Sequence, residues 1–352
     1  MDREPVKDRT CCPPASPATI WWRDPWVWVP VSGALAGLLG TVWVAAAPVS
    51  TSYIGYLRKV AVPFGLGLLI GGLIDHFVPK AYIVAWLSGQ RKRVVTRATL
   101  LGFLASSCSH GCLALTIELY RKGASIPAVV SFLLASPWAS MSLTLLLLGL
   151  FGAKALVISV GALAISWVTG VIFQQLDRRG WIESNPHTQG IRMDVPIWVD
   201  LSARIRAYPW TLPQLLADAR GVWRGMIPLG RMVVGWVQLG LLLSAVLGTL
   251  VPHEMFMRFL GPTAAGLLAT LLVAAVIEVC SEGTAPLAFE LYRHTGAFGN
   301  AFAFLMGGVV TDVTELGAIW TNVGRRTTLW LVGVTLPLVF GALKAGRRPV
   351  IS

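Results

Sequence analysis

Charge is scarce in this sequence. Asp, Glu, Lys and Arg make up 13% of its 352 residues, where an average soluble domain carries roughly 25%. A water-soluble fold of this length would lack the polar surface to cover itself, which excludes a soluble globule. Cysteine is scarce as well. The five are Cys11, Cys12, Cys108, Cys112 and Cys280, an odd number with three in apolar surroundings, which excludes a disulfide framework. Nucleotide, haem and quinone motifs are missing, so no cofactor and no enzyme are expected. A signal-like start is missing too. Residues 1–20 are polar, carry mixed charge and several prolines, and read as a disordered cytoplasmic tail, while the first apolar run begins only near Trp26.

What the sequence has in abundance is apolar runs near the roughly 20 residues that cross a bilayer. They lie near 26–47, 60–79, 98–120, 127–151, 154–174, 227–251, 263–293, 299–322 and 327–345. The fold class expected is an all-α polytopic membrane protein of about 8–10 transmembrane segments, because a helix satisfies its own backbone in lipid. Trp21, Trp22, Trp26 and Trp28 form an interfacial belt at the first entry. The net charge of +12 sits in loops beside these runs, where it sets orientation, and nucleic acid is not expected as a partner. Arg91, Lys92, Arg93 and Arg97 place their loop, and by parity the N-terminus, in the cytoplasm of a cell whose plasma membrane holds the chain. Beyond that loop the parity depends on the run at 98–120. A single crossing puts the Arg-rich centre outside, and a fold-back puts it inside.

The chain contains a repeat. Cys108-Ser-His-Gly111 followed by Glu118-Leu-Tyr-Arg121 recurs as Cys280-Ser-Glu-Gly283 followed by Glu290-Leu-Tyr-Arg293, each residue displaced by 172. Val78-Pro79 and Val251-Pro252, and Phe132-Leu133 and Phe304-Leu305, keep the same order. The organisation expected is a tail at 1–25, an additional first helix and loop at 26–56, and repeat 1 at 57–175. A basic linker at 176–224, repeat 2 at 225–346 and a short tail at 347–352 complete it. Within the linker, 198–224 reads as a plain loop or a short amphipathic surface helix. Duplicated halves are common in transporters, whose sites lie at the repeat interface near the midplane.

Each half interrupts an apolar run at its motif. Gly111, Gly283 and Pro286 are the expected helix breaks, since Gly weakens a helix and Pro removes a donor. Broken helices in membranes line cavities and offer free backbone ends to ligands. Cys108 and Cys280 occupy equivalent places at the two breaks, and Cys112 follows Cys108 by one turn. Thiolates are soft ligands for thiophilic centres. Ser109, His110, Ser281 and Glu282 flank the thiols and complete the expected binding set. Asp312 and Glu315 lie three apart within an apolar run. Read as one helical face, they suit proton coupling or a cation. Glu118 with Arg121, and Glu290 with Arg293, read as interfacial ion pairs. Asp75 and Glu278 are further ionisable groups at membrane depth. Cys11 and Cys12 read as incidental to the tail.

These motifs resemble the ArsP/YraQ family of predicted permeases. The resemblance rests on Cys280-Ser-Glu-Gly-Thr-Ala-Pro286-Leu-Ala, Leu291-Tyr-Arg, Gly296-Ala and Phe304-Leu305. In the first half it rests on Cys108-Ser-His-Gly, Gly123-Ala124 and Phe132-Leu-Leu-Ala-Ser-Pro137. It covers most of 57–330. His110 stands where the common form has a second cysteine, and the Thr116 region departs from the Pro-Leu-Ala of the family. The resemblance implies a permease with two related repeats and broken or re-entrant helices. For members like ArsP it implies export of trivalent organoarsenicals. The expected partners are then a small-molecule substrate and the lipid bilayer, and the oligomeric state stays open. Two other functions are set beside this one. The first is a permease or channel for another small solute with structural cysteines. The second is a membrane thiol-redox enzyme, against which the Cys108–Cys112 spacing speaks.

Overall fold

The computed structural model describes residues 31–32, 35, 47–77, 87, 92–104, 109–187, 206, 208–209, 211–277 and 281–346. Side chains at 75, 92, 109–111, 229, 232 and 342–346 are not among those described. The expected tails at 1–25 and 347–352 lie outside these residues, as do Cys11, Cys12, Cys108, Glu278, Cys280 and nearly all of the expected first span.

Thirteen helices form among the described residues. In the first half they are α1 Ala47–Phe77, α2 Lys92–Leu104, α3 Ser109–Arg121, α4 Ile126–Ala139, α5 Met141–Phe151 and α6 Lys154–Arg178. In the second half they are α7 Leu212–Leu250, α8 His253–Leu260, α9 Ala264–Val276, α10 Ser281–Thr295, α11 Phe298–Thr311, α12 Val313–Asn322 and α13 Arg325–Gly346. Local sequence marks the ends. Pro127 stands in the first turn of α4, where its missing N–H costs nothing. The Ser140 hydroxyl accepts from Leu143 N–H at 3.3 Å and starts α5. Gly152 and Gly324 both take positive φ, at 60° and 150°, in the turns before α6 and α13, a region that favours glycine.

Among the described residues five pieces are long and apolar enough to cross a bilayer: Ala47–Ile74 of α1, α4–α5, α6, Val233–Leu250 of α7 and α11–α12. The 22-residue α13 is about 33 Å long, and α8 and α9 meet at 99°. The runs at 98–120 and 263–293 do not cross as single spans. Each is split into helices of 13 to 15 residues, about 20 Å long and short of a roughly 30 Å core.

Their packing shows that they fold back. Asn300, near the start of α11, donates to the carbonyls of Leu260 and Gly261 at 2.9 and 2.8 Å, just before α9. Further along, Gly307 lies on Leu271, and Gly308 near Ala274. Thus α9 runs parallel to α11. Helix α10 enters α11 through the tight turn at Gly296 and runs antiparallel to it. In the first half, Gly102 of α2 packs on Phe132 and Ala135 of α4. Cys112 of α3 reaches the carbonyl of Phe132 at 4.0 Å. The end of α2 and the start of α3 therefore converge on one level of α4. Each half holds a re-entrant hairpin, α2–α3 or α9–α10.

Helix limits recur at the displacement found in the motifs. Lys92–Leu104 answers to Ala264–Val276, Ile126–Ala139 to Phe298–Thr311, Ser109 to Ser281, and Met141 to Val313, each 172 residues apart. Answering helices lie antiparallel. The end of α1 meets the start of α7 through His76 Nε2 and Asp218 Oδ1 at 3.0 Å, while Tyr53 near its start donates to Gln238. The residues after α6 meet the start of α13: Glu183 accepts from Arg326 and Thr327 N–H at 2.8 and 2.9 Å, and Trp181 stacks on Trp330. Helix α7 starts at Leu212 and continues to Leu250. The 212–224 stretch is thus the first part of a long helix, neither a loop nor a separate surface helix, and the expected start of repeat 2 at 225 falls inside it.

Candidate functional site

Besides α1 against α7 and α6 against α13, the two halves meet through three further sets of helices. Helix α4 touches α11, α3 touches α12, and α10 touches α5. The exchange is reciprocal, because the hairpin's second helix in each half packs on the second piece of the broken span in the other. Arg121, at the foot of α3, donates to Asn322 Oδ1 at the foot of α12 at 3.0 Å. On the other flank Phe151 packs edge-on to Phe289, and Lys154 bonds Tyr292. Ser281–Gly283 begins α10 beside Trp236 and Gly240 of α7. Gly240 is ten residues from the end of α7, about 15 Å or half the apolar thickness.

The glycines do not break these helices. Gly283 and Pro286 lie inside α10, and Gly111 is the third residue of α3. The described helices α3 and α10 start at the motif serines, Ser109 and Ser281. Gly283 serves packing, since a Cβ there would stand 2.9 Å from the Trp236 carbonyl oxygen, and one on Gly240 would overlap the Gly283 carbonyl. Pro286 sits six residues into α10, where the missing bond falls in the first turns.

The binding set divides. Cys108 and Cys280, each immediately before a hairpin's second helix, lie outside the described residues. Ser109 and His110 open α3. Cys112 is fully buried and packs on Thr116 Oγ1 at 3.9 Å and the Phe132 carbonyl at 4.0 Å, the environment of a core thiol. Ser281 and Glu282 are buried at the start of α10, with Ser281 Oγ donating to Glu282 Oε2 at 3.4 Å. The helix N-terminus favours that carboxylate's charge.

Asp312 and Glu315 do not share a continuous helical face. The span breaks at Asp312, whose carboxylate caps α12 by accepting from the N–H groups of Thr314 and Glu315 at 2.6 and 3.1 Å and from the Thr314 hydroxyl. Ser140 does the same for α5, 172 residues earlier. Glu315 is buried in the first turn of α12. The two repeated glutamates differ. Glu118 pairs with Lys122 at 2.8 Å on an exposed face, and its expected partner Arg121 turns to Asn322. Glu290 pairs with Arg293 at 3.1 Å as expected, and also with His294 at 3.4 Å, while buried. Among the described residues no group of three His, Cys, Asp or Glu side chains gathers as a metal site.

The sequence pattern of ArsP_1, a family described as a predicted permease, matches residues 51–342. The chain belongs to this family. The match runs from α1 to the last turns of α13 and takes in both hairpins. Among curated relatives, this ArsP_1 permease is 26% identical to the UPF0718 protein YcgR of Bacillus subtilis over 283 residues, covering 79% of this chain and 90% of the relative. It is 27% identical over 274 residues to Rv2963 of Mycobacterium tuberculosis, whose name marks it provisionally as a permease, covering 73% of this chain and 66% of that one. No solved structure matches it.

Sequence reasoning passed over two features of this permease. One is the stripe Gly240, Ser244 and Gly248 on α7, spaced by four, against which α10 lies. Its signal was the spacing itself, which puts small residues on one helical face. The other is the burial of Glu290. No signal near Glu290 in sequence separates it from Glu118, because the difference is made by α7 and α8.

Proposed function

We propose that this permease exports small thiophilic solutes, trivalent organoarsenicals among them, through transient thiol coordination by Cys108 and Cys280 between two inverted halves. The observation that carries the reading is the pair of re-entrant hairpins. In each, the second helix starts at the residue after a motif cysteine, Ser109 or Ser281, and packs on the other half, α3 on α12 and α10 on α5. Three crossings per half, α1, α4–α5 and α6 against α7, α11–α12 and α13, invert the second half relative to the first. The antiparallel pairing of answering helices supports this.

The sidedness follows from charge. With both hairpins folded back, Arg93, Arg97, Arg121, Lys122, Arg178, Arg179, Arg325 and Arg326 fall on one side, and Lys154, Arg258 and Arg293 on the other. The richer side is cytoplasmic by the positive-inside rule. That places the linker and the N-terminus in the cytoplasm of a plasma-membrane protein.

The chemistry is balanced and reversible. Each cysteine thiol displaces one hydroxyl of a trivalent arsenical R–As(OH)₂: an As–S bond forms, an As–O bond breaks, and the thiol proton leaves with the hydroxyl as water. Water reverses the step on release. Two thiols on two hairpins hold one arsenic only when the tips approach, so their movement opens or closes the site. Ser109, His110, Ser281 and Glu282 line the approach, and Cys112 contributes packing. Transport of a trivalent methylated arsenical by everted vesicles tests the reading, with Cys108→Ser and Cys280→Ser each expected to abolish it. Full transport by both variants would sink the thiol part.

A further inference from the structure

We propose that Glu290, reached through His294 and His253, carries the proton that drives transport, and that it passes that proton to and from a small cavity behind the second hairpin. The inference rests on the permease reading above and places at Glu290 the proton coupling that the sequence suggested for Asp312 and Glu315.

Glu290 is 1% exposed, although burying a carboxylate in an apolar setting is costly and marks a functional candidate. Room for it is built in. A Cβ on Gly248 of α7 would overlap the carboxylate. Oε2 has Arg293 and His294 as ion-pair neighbours at 3.1 and 3.4 Å, and neither carboxylate oxygen has a hydrogen-bond partner of good geometry among the described residues. The carboxylate lines a cavity of about 50 Å³ walled by Leu247, Phe256, Leu260, Thr270, Ile277 and Phe304. Its walls are apolar apart from Glu290 and Thr270, so the carboxyl is the main polar group facing it. The cavity reaches from Glu290 to Ile277, the residue after α9.

A path leads outward. The His294 ring stacks on Phe256 with centroids 4.4 Å apart, and its other neighbour is His253, 6.2 Å away. His253 is exposed at the start of α8, so the three groups step from solvent to cavity. Imidazole exchanges protons near neutral pH and suits the relay. Other charges nearby are few. Arg293 is half-exposed. Glu254 and Arg258 of α8 are exposed, Lys154 bonds Tyr292, and Lys59 lies over Phe289. Helices α5, α9 and α11, which also wall this region, carry no titratable side chain. Protonating Glu290 would release Arg293 to solvent and leave a neutral carboxyl against apolar walls. Deprotonating it restores the pair. The carboxyl is a two-state element at the root of α10. Asp312 is the less suited because its Oδ1 already accepts three hydrogen bonds as the cap of α12.

Infrared difference spectra of the purified, lipid-reconstituted protein, recorded across a pH change, test the assignment without any substrate. The expected result is a protonated-carboxyl band that is lost in Glu290→Gln, shifted in Glu290→Asp, and kept in Asp312→Asn and in Glu118→Gln, the equivalent exposed position. His253→Ala is expected to slow the band's appearance without removing it. A band unchanged in Glu290→Gln and Glu290→Asp, or one lost in Asp312→Asn, would overturn the proposal. Arsenical flux in the same vesicles decides the transport reading separately. Absence of flux removes that substrate and leaves the infrared result to decide Glu290.

Discussion

Gly240 of α7 faces the backbone carbonyl of Gly283 so closely that no side chain fits between them. This contact seats the start of the second hairpin's inner helix at mid-depth. Gly240→Leu is expected to lower stability by about 1–3 kcal/mol, the usual cost of overpacking, and to abolish transport by displacing Ser281 and Glu282. Gly235→Ala, on the same helix with open space around it, is expected to change neither. Thermal unfolding in detergent and vesicle flux read the two effects.

Asp312 acts as a cap. Asp312→Ala is expected to cost about 0.5–2 kcal/mol, and Asp312→Asn little, because Asn caps nearly as well as Asp. Equal and large losses in both would mean the charge itself is required and would restore the sequence's reading of this residue as a proton carrier.

Glu183 gives stability a defined pH dependence. Its partial burial pushes the pKa up, but the Thr327 hydroxyl and the N–H groups of Arg326 and Thr327 outweigh that, and the net value lies below the ordinary carboxylate range. The folded pKa is therefore lower than the unfolded one. The stabilisation is complete above the unfolded value of about 4.3 and fades as pH falls through it toward the folded value. Melting curves of Glu183→Gln and the parent chain are expected to differ most at neutral pH and to converge in acid. A constant gap would contradict the argument.

Inverted halves predict labelling. In a background with its reactive cysteines replaced, Ala153→Cys, in the turn before α6, is expected to react with an impermeant maleimide added outside intact cells. Arg179→Cys, just after α6, is expected to react only in everted vesicles. Labelling of both from one side would break the topology.

The sequence carried more of this fold than of its site. The cysteine–serine motifs and the Glu-Leu-Tyr-Arg turns announced a displacement of 172 that the helix limits then follow, because local breaks and caps are written locally: Ser140 and Asp312 are the example. The hairpins were legible only as one of two options: the sequence allowed the 98–120 run to cross or to fold back, and the answer lies in Gly102 and Cys112 meeting at Phe132. Asp312 and Glu315 suggested one face because spacing assumes a helix that continues, and this one restarts. Glu118 and Glu290 sit in the same motif, yet one is exposed and the other enclosed by residues distant in sequence, such as Gly248 and Phe256.

The most direct test of the account is uptake of a trivalent methylated arsenical by everted membrane vesicles. It should be run with and without an uncoupler, for the parent chain and for Cys108→Ser, Cys280→Ser and Cys112→Ala. The account predicts uncoupler-sensitive uptake that is lost in the first two variants and retained in the third. Uptake that survives removal of both Cys108 and Cys280 would contradict it.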